Sequence, residues 1–215
     1  MKTKGLTHNI MKKMGLVHQR DWVPFTLETM KRIDPMYYLL ATDKSLGIIS
    51  MTFVHEKVRP YITYLGTEQV SQGWHGYVGS KRSLITSLRF YDNVIRLCAT
   101  HFRSGTDPIK RIEQVQKLYD SYCNSEKSDI FVLFGDLNTR VHTSPYEYQR
   151  IIKDGRISNP LVNVMELMAF DEVKSGLHYI LSREFIEPPI QFPPTYRFDK
   201  NEPTWTYSSK RVASW

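Results

Sequence analysis

The run Ile130-Phe131-Val132-Leu133-Phe134 is apolar, rich in β-branched and aromatic residues, and stops at Gly135. Five residues of this kind are too few for a helix. They read as a strand buried on both faces, and so as a central strand of a sheet. Past Gly135, polar side chains recur at alternate positions: Asp136, Asn138 and Arg140. Alternate residues of extended backbone share a face, so this spacing predicts one carboxylate, one amide and one guanidinium leaving the strand end together. Open α/β sheets bind ligands at such ends. The set suits a hard cation beside a phosphate, with oxygen ligands for the metal and Arg for the anion. The alternative is a plain turn, because Gly, Asp and Asn are turn residues.

Other elements place that strand in a mixed sheet covered by helices. Trp22 to Arg32 reads as a helix broken by Asp34-Pro35. Tyr37 to Ala41 and Leu46 to Val54 read as strands about the turn Thr42-Asp43-Lys44-Ser45, and Leu84 to Phe90 and Val94 to His101 as a second pair about Tyr91-Asp92-Asn93. Thr106-Asp107-Pro108 starts a helix whose packing face is Ile109, Ile112, Val115, Leu118, Tyr119 and Tyr122. Leu161 to Val173 reads as a further helix after Asn159-Pro160, and the Pro-rich, aromatic stretch from Glu187 reads as irregular.

With 215 residues, 41% of them apolar, the chain can bury a sizeable core and is most simply one domain. A formal charge of +7 favours an acidic partner (phospholipid headgroup, inositol phosphate or nucleic acid) without choosing among them; a basic solvated surface explains it as well. Residues 1–21 form a basic N-terminal segment with Leu6, Ile10, Met14 and Val17 at helical spacing. A transit peptide or membrane-surface helix is weighed there against a basic helix on the domain edge, and the last is preferred. No apolar run approaches membrane-spanning length. Cys98 and Cys123 are too few for a disulfide framework and read as buried free thiols in a reducing compartment.

Three more constellations carry chemistry. His101 ends a strand-like run, where it could donate to a phosphoryl oxygen or serve as a structural hydrogen-bonder. Tyr196, Arg197, Lys210 and Arg211, on Pro-framed loops, offer one hydroxyl and three cations to an anion, or a solvated basic loop. Lys81, after the Gly-rich stretch 73–80, could approach an anion or belong to an ordinary flexible loop.

Taken together, these residues resemble the inositol polyphosphate 5-phosphatase family of the endonuclease/exonuclease/phosphatase superfamily. Gly135-Asp136-Leu137-Asn138-Thr139-Arg140 matches the family's Gly-Asp-Leu-Asn-x-Arg. Phe192 to Asp199 is similar to its Phe-x-Pro-Thr-Tyr-Lys-Tyr-Asp, with Arg197 for Lys, and Lys210 to Trp215 resembles its Lys-Arg-x-Pro-Ala-Trp, with Ala213 for Pro. His101 stands at the His of its His-Leu-x-x-[Gly/His], and Gly79-Ser80-Lys81-Arg82 where it has Gly-Asn-Lys-Gly. All five elements fall in the family's order.

The resemblance implies a DNase I-like four-layer α/β sandwich of two mixed β-sheets flanked by helices, with residues 22–215 as a partial catalytic domain incomplete at both edges. It implies Mg²⁺-dependent removal of the 5-phosphate from a phosphoinositide or soluble inositol phosphate, in the cytoplasm and peripherally at membrane surfaces. Asp136 would orient or deprotonate water, Asn138 would hold the metal–phosphate region, and His101 would donate to the scissile phosphate. Tyr196, Arg197 and Lys210 would grip the neighbouring phosphate, Lys81 and Arg211 would also bind substrate, and Arg140 would brace the Asp136 loop. The family's metal-binding Glu, from a Gln-Glu strand, and the catalytic His of its Ser-Asp-His are not found in the sequence. The expectation is therefore a chain of low activity, with a non-catalytic phosphoinositide- or protein-binding relative as the alternative. The Pro-Thr-Tyr-Arg and Lys-Arg elements argue against a nuclease, so no nucleic acid partner is expected.

Overall fold

The computed structural model describes residues 19–45, 47–71, 81–125, 127–157, 165–192, 194–196 and 212–215. The chain divides into two compact units, Met1–Arg103 with Lys117–Leu137, and Ser104–Gln116 with Asn138–Trp215.

The first unit begins with α1 (Gln19–Ile33), followed by β1 (Tyr37–Ser45) and β2 (Ile48–His55). Asp34 ends the helix as Pro35 requires, and its Oδ1 accepts the Met36 amide at 2.8 Å to start the strand. β1 and β2 pair antiparallel from Tyr37↔His55 to Ser45↔Ile48. The expected turn at 42–45 is therefore part of β1; the chain reverses between Ser45 and Ile48, where Gly47 takes φ +77°. Asp43 and Ser45 are turn formers by propensity, but Thr67 Oγ1 donates to Asp43 Oδ2 at 2.7 Å and holds this stretch beside the second sheet.

That sheet contains β3 (Ile62–Ser71), β4 (Arg82–Phe90), β5 (Asn93–His101) and β6 (Ile130–Asp136), in the order β3-β4-β5-β6. The first three run antiparallel, and β6 joins β5 in parallel. β4 forms the buried centre, with Ser83, Leu84, Ile85, Thr86 and Leu88 all inside. The expectation of a central strand at 130–134 is corrected: among the described residues β6 stands at the end of the order, and Ile130, Val132 and Phe134 are 41–50% exposed. Apolar content alone does not distinguish two-faced from one-faced burial in so short a run.

α2 (Ile109–Cys123) is entered through Asp107, whose Oδ1 accepts the Ile109 amide at 3.0 Å. Its buried residues are Arg111, Gln114, Val115 and Leu118, whereas Ile109 is exposed. The expected apolar face is thus rotated toward two polar residues, because Arg111, itself part of the second unit, pairs within that unit with buried Glu172. Cys98 is buried as expected, while Cys123, at the helix end, is exposed.

In the second unit, α3 (Pro145–Ile157) starts where Ser144 Oγ accepts the Glu147 amide at 3.1 Å, and α4 spans Tyr179–Glu184. Val141, Tyr148, Ile151, Leu167 and Ala213 form its core, with Phe170, Val212 and Trp215 against them. The helix expected over 161–173 is helical at 165–168 and stops, because Asp171 leaves it to bridge Val141. The start at Asn159-Pro160 lies outside the described residues, as does most of the basic N-terminal segment.

Candidate active site at the ends of β5 and β6

Parallel pairing brings the carboxyl ends of β5 and β6 side by side, with Thr100 opposite Gly135 and His101 opposite Asp136. The approach is so close that a Cβ on Gly135 would lie 2.1 Å from the Thr100 carbonyl oxygen, and Gly135 has φ +122°. Only glycine meets both demands. Beyond Asp136 the strand ends, and Asn138 adopts φ +54°. This corrects the alternation argument: a left-handed residue between Asp136 and Arg140 breaks the extended geometry on which a shared face depends.

Lys81, His101 and Asp136 come together in the first unit. Lys81 Nζ is 2.5 Å from His101 Nε2, and Asp136 Oδ2 lies 3.4 Å from the same nitrogen. On its other side the ring hydrogen-bonds the Gly47 backbone, near Nδ1, where a Cβ on Gly47 would come within 3.7 Å. Burial and the Lys81 charge lower the His101 pKa, outweighing Asp136 and Gly47, which raise it. Burial also lowers the Lys81 ammonium, against the pull of Asp136. The ring is therefore neutral near pH 7, with Nδ1–H toward Gly47 and the Nε2 lone pair accepting from Lys81. Lys81 is the group with donors to spare, and Asp136, with 63% of its side chain exposed, faces solvent. The cluster is an ammonium and an accessible carboxylate joined through an intervening imidazole.

Among the described residues no three His, Cys, Asp or Glu side chains gather as a metal site. Asp136 is the single hard oxygen ligand of this cluster, next to two nitrogen groups, so these residues do not by themselves fit Mg²⁺.

In the second unit, the Arg140 guanidinium lies 5.6 Å from the centre of the Tyr196 ring, and Tyr196 pairs with Ser214 through two backbone hydrogen bonds of 2.9 and 2.7 Å. Arg197, Lys210 and Arg211 lie outside the described residues. Nothing in the sequence reading pointed to Glu172. Its carboxylate is completely buried and takes Arg111 Nε at 2.9 Å and Nη2 at 2.5 Å, His142 Nε2 at 2.7 Å and His178 Nε2 at 3.1 Å. Burial pushes this carboxyl up, but bonds from His178, Arg111 and His142 prevail and hold it down at about 2. The partners are up to 61 residues apart, and the one available signal was a misplaced polar Arg111 on an otherwise apolar helix face.

The sequence model of Endonuclease/Exonuclease/phosphatase family 2 matches residues 5–215. Human Synaptojanin-1 is 25% identical over 206 residues, covering 92% of this chain and 13% of its own length. Mouse Inositol polyphosphate 5-phosphatase K is 24% identical over 203 residues, covering 89% and 42%. The chain thus spans less than half the length of these relatives. Among solved structures, the 5-phosphatase domain of SPsynaptojanin, in complex with inositol (1,4)-bisphosphate and calcium ion, superposes with a TM-score of 0.70 at 21% identity, over 92% of this chain and 59% of that one. A mutant Cimex nitrophorin in a ferrous NO complex superposes with a TM-score of 0.67 at 19% identity, over 94% and 70%. Two sheets with flanking helices, and these likenesses, make the fold that of the DNase I-like 5-phosphatase domain. The chain belongs to the endonuclease/exonuclease/phosphatase family 2.

Proposed function

We propose that this chain is a phosphomonoesterase of the inositol polyphosphate 5-phosphatase kind, acting on a phosphoinositide or soluble inositol phosphate. The observation that carries this reading is the Lys81–His101–Asp136 cluster at the paired ends of β5 and β6. In it, Lys81 donates to a non-bridging phosphoryl oxygen and offsets charge developing there. Asp136 accepts a hydrogen bond from the attacking water. His101 positions Lys81 rather than donating itself, a different role from the one its place in the motif implies. The water oxygen bonds phosphorus, the bond to the inositol oxygen breaks, and the proton lost by water ends on the departing hydroxyl. Support for the substrate class comes from the names of the relatives and the inositol bisphosphate held by the structural neighbour. That neighbour's calcium ion supports a divalent cation in the wider family, and Mg²⁺ is the cation the motif resemblance implies. The described residues do not complete a site for it, and no step above passes through one. Arg197, Lys210 and Arg211 complete the proposed grip on a second phosphate, and a cytoplasmic, membrane-peripheral location follows from the lipid substrate.

A second reading is a non-catalytic relative that binds phosphoinositide or protein. The lack of a three-ligand metal cluster among the described residues favours it, as does a fold shared with a nitrophorin, since a fold does not fix a function. Phosphate release from phosphatidylinositol 4,5-bisphosphate vesicles, wild type against Asp136→Ala, separates the two: turnover lost in the variant supports the enzyme, and vesicle binding without turnover supports the second reading.

A further inference from the structure

We infer that Gln69, clamped by Arg82, positions the imidazole of the strand-end cluster from outside it. By tethering the reversal between β1 and β2, Gln69 selects the tautomer of His101 and so decides whether Lys81 or Asp136 shares its Nε2. The consequence for turnover rests on the phosphomonoesterase reading given above; the tautomer does not.

The tether joins side chains two residues apart on β1 to side chains two residues apart on β3. Asp43 and Ser45 share a face of β1, and Thr67 and Gln69 share a face of β3. Thr67 Oγ1 donates to Asp43 Oδ2 at 2.7 Å, and Ser45, a buried residue, donates through Oγ to Gln69 Oε1 at 3.2 Å. Arg82 Nη1 donates to the same Oε1 at 3.1 Å, and Gln69 Nε2 reaches the Lys44 carbonyl at 3.5 Å. Two donors on the oxygen and an acceptor before the nitrogen fix the amide in one orientation. Arg82 gives up hydrogen bonding to stand there, since its Nε is buried without a partner. A guanidinium held at such a cost acts as a clamp rather than as surface charge.

The tether holds Gly47 in place. The reversal that follows Ser45 carries Gly47 at φ +77°, and its backbone hydrogen-bonds the His101 ring on the Nδ1 side. Arg82 precedes Ser83 and His101 follows Thr100, and Ser83 pairs with Thr100, so the clamp and the ring share one face at the same end of the sheet.

A neutral imidazole carries one ring proton, placed by the hydrogen bond that its nitrogen makes. With the proton on Nδ1, toward Gly47, Nε2 accepts from Lys81 Nζ at 2.5 Å. With the proton on Nε2, the ring cannot accept from the ammonium and instead donates to Asp136 Oδ2, 3.4 Å away. Lys81 then loses its anchor, and Asp136 is occupied by the ring rather than by water. Gly47, and therefore Gln69, separates the two states.

The test is heteronuclear NMR of the whole chain, reading both ring nitrogens of His101 at a pH where the ring is neutral. Wild type should carry the proton on Nδ1. Gln69→Ala should move it wholly or partly to Nε2, and Arg82→Met should act in the same direction. Gln69→Glu, whose carboxylate still accepts from Ser45 and Arg82, should restore the wild-type signature. In phosphate release from phosphatidylinositol 4,5-bisphosphate, kcat/KM should fall by roughly tenfold to a hundredfold in Gln69→Ala and recover in Gln69→Glu. A proton on Nε2 in wild type overturns the inference, as does an unchanged tautomer in both Gln69→Ala and Arg82→Met. An equal change in Gln69→Glu and Gln69→Ala overturns the role of the two accepted bonds, and a shifted tautomer with undiminished turnover overturns the link to rate. If wild type releases no phosphate, the functional reading fails while the tautomer still decides the positioning. Should Gln69→Ala fail to fold, Arg82→Met and Ser45→Ala carry the same test.

Discussion

Replacing Gly135 with Ala tests whether the strand ends are held by the close approach described above. The added methyl would sit 2.1 Å from the Thr100 carbonyl oxygen on backbone at φ +122°. An L-residue in such a conformation costs about 1–2 kcal/mol, and relieving an overpacked contact about 1–3 kcal/mol more. The sum is roughly 2–5 kcal/mol, which for a domain of this size lowers Tm by roughly 10 °C. Among the described residues β6 pairs only with β5, so the cheapest relief is for β6 to swing away. That movement would separate Asp136 from His101, which are register partners. Calorimetric or circular-dichroism melting should show the loss, and the His101 resonance should shift its titration as Asp136 recedes. A Tm within about 2 °C of wild type, with an unchanged His101 titration, would refute the reasoning.

Glu172 should govern acid stability. Its folded pKa lies at about 2 against an ordinary 4.5, so it stabilises the fold above pH 4.5 and loses that contribution as pH falls toward 2. The difference amounts to about 3 kcal/mol. Glu172→Gln should cost roughly 3–5 kcal/mol in urea unfolding at pH 7, since it strands a buried Arg111, and should flatten the acid limb; an unchanged acid limb would contradict the network. Burial holds the His101 pKa down most and the Lys81 charge adds to it, so Lys81→Met should raise that pKa, and NMR titration of the imidazole reads this directly; a fall would contradict the assignment. Exposed Cys123 should react readily with a disulfide reagent, while Cys98, buried and pushed up to about 12, should react only on unfolding. Equal rates for the two thiols in the folded protein would contradict their placement.

The hairpin of β4 and β5 was legible in the sequence because Tyr91-Asp92-Asn93 interrupts two β-rich runs, and Tyr91 indeed takes φ +52°. β6 was legible as a strand but not as the last of four, since pairing partners leave no mark on five apolar residues. Of the site, Lys81, His101 and Asp136 were each identified by motif, yet only the register of β5 on β6 shows that the latter two meet. The shared face for Asp136, Asn138 and Arg140 failed because Asn138 is one of the residues that enters the left-handed region readily, a choice that spacing does not reveal. The Arg111–Glu172 pair was hidden for a different reason: its members are 61 residues apart, and Arg111 on its helix face says nothing of where its partner lies.

The decisive experiment is phosphate release from phosphatidylinositol 4,5-bisphosphate by wild type, Asp136→Ala and Lys81→Met. If the strand-end cluster is a phosphomonoesterase site, wild type releases phosphate and both variants lose roughly a hundredfold or more in kcat. Equal rates in all three, or phosphoinositide binding with no release by wild type, would contradict it.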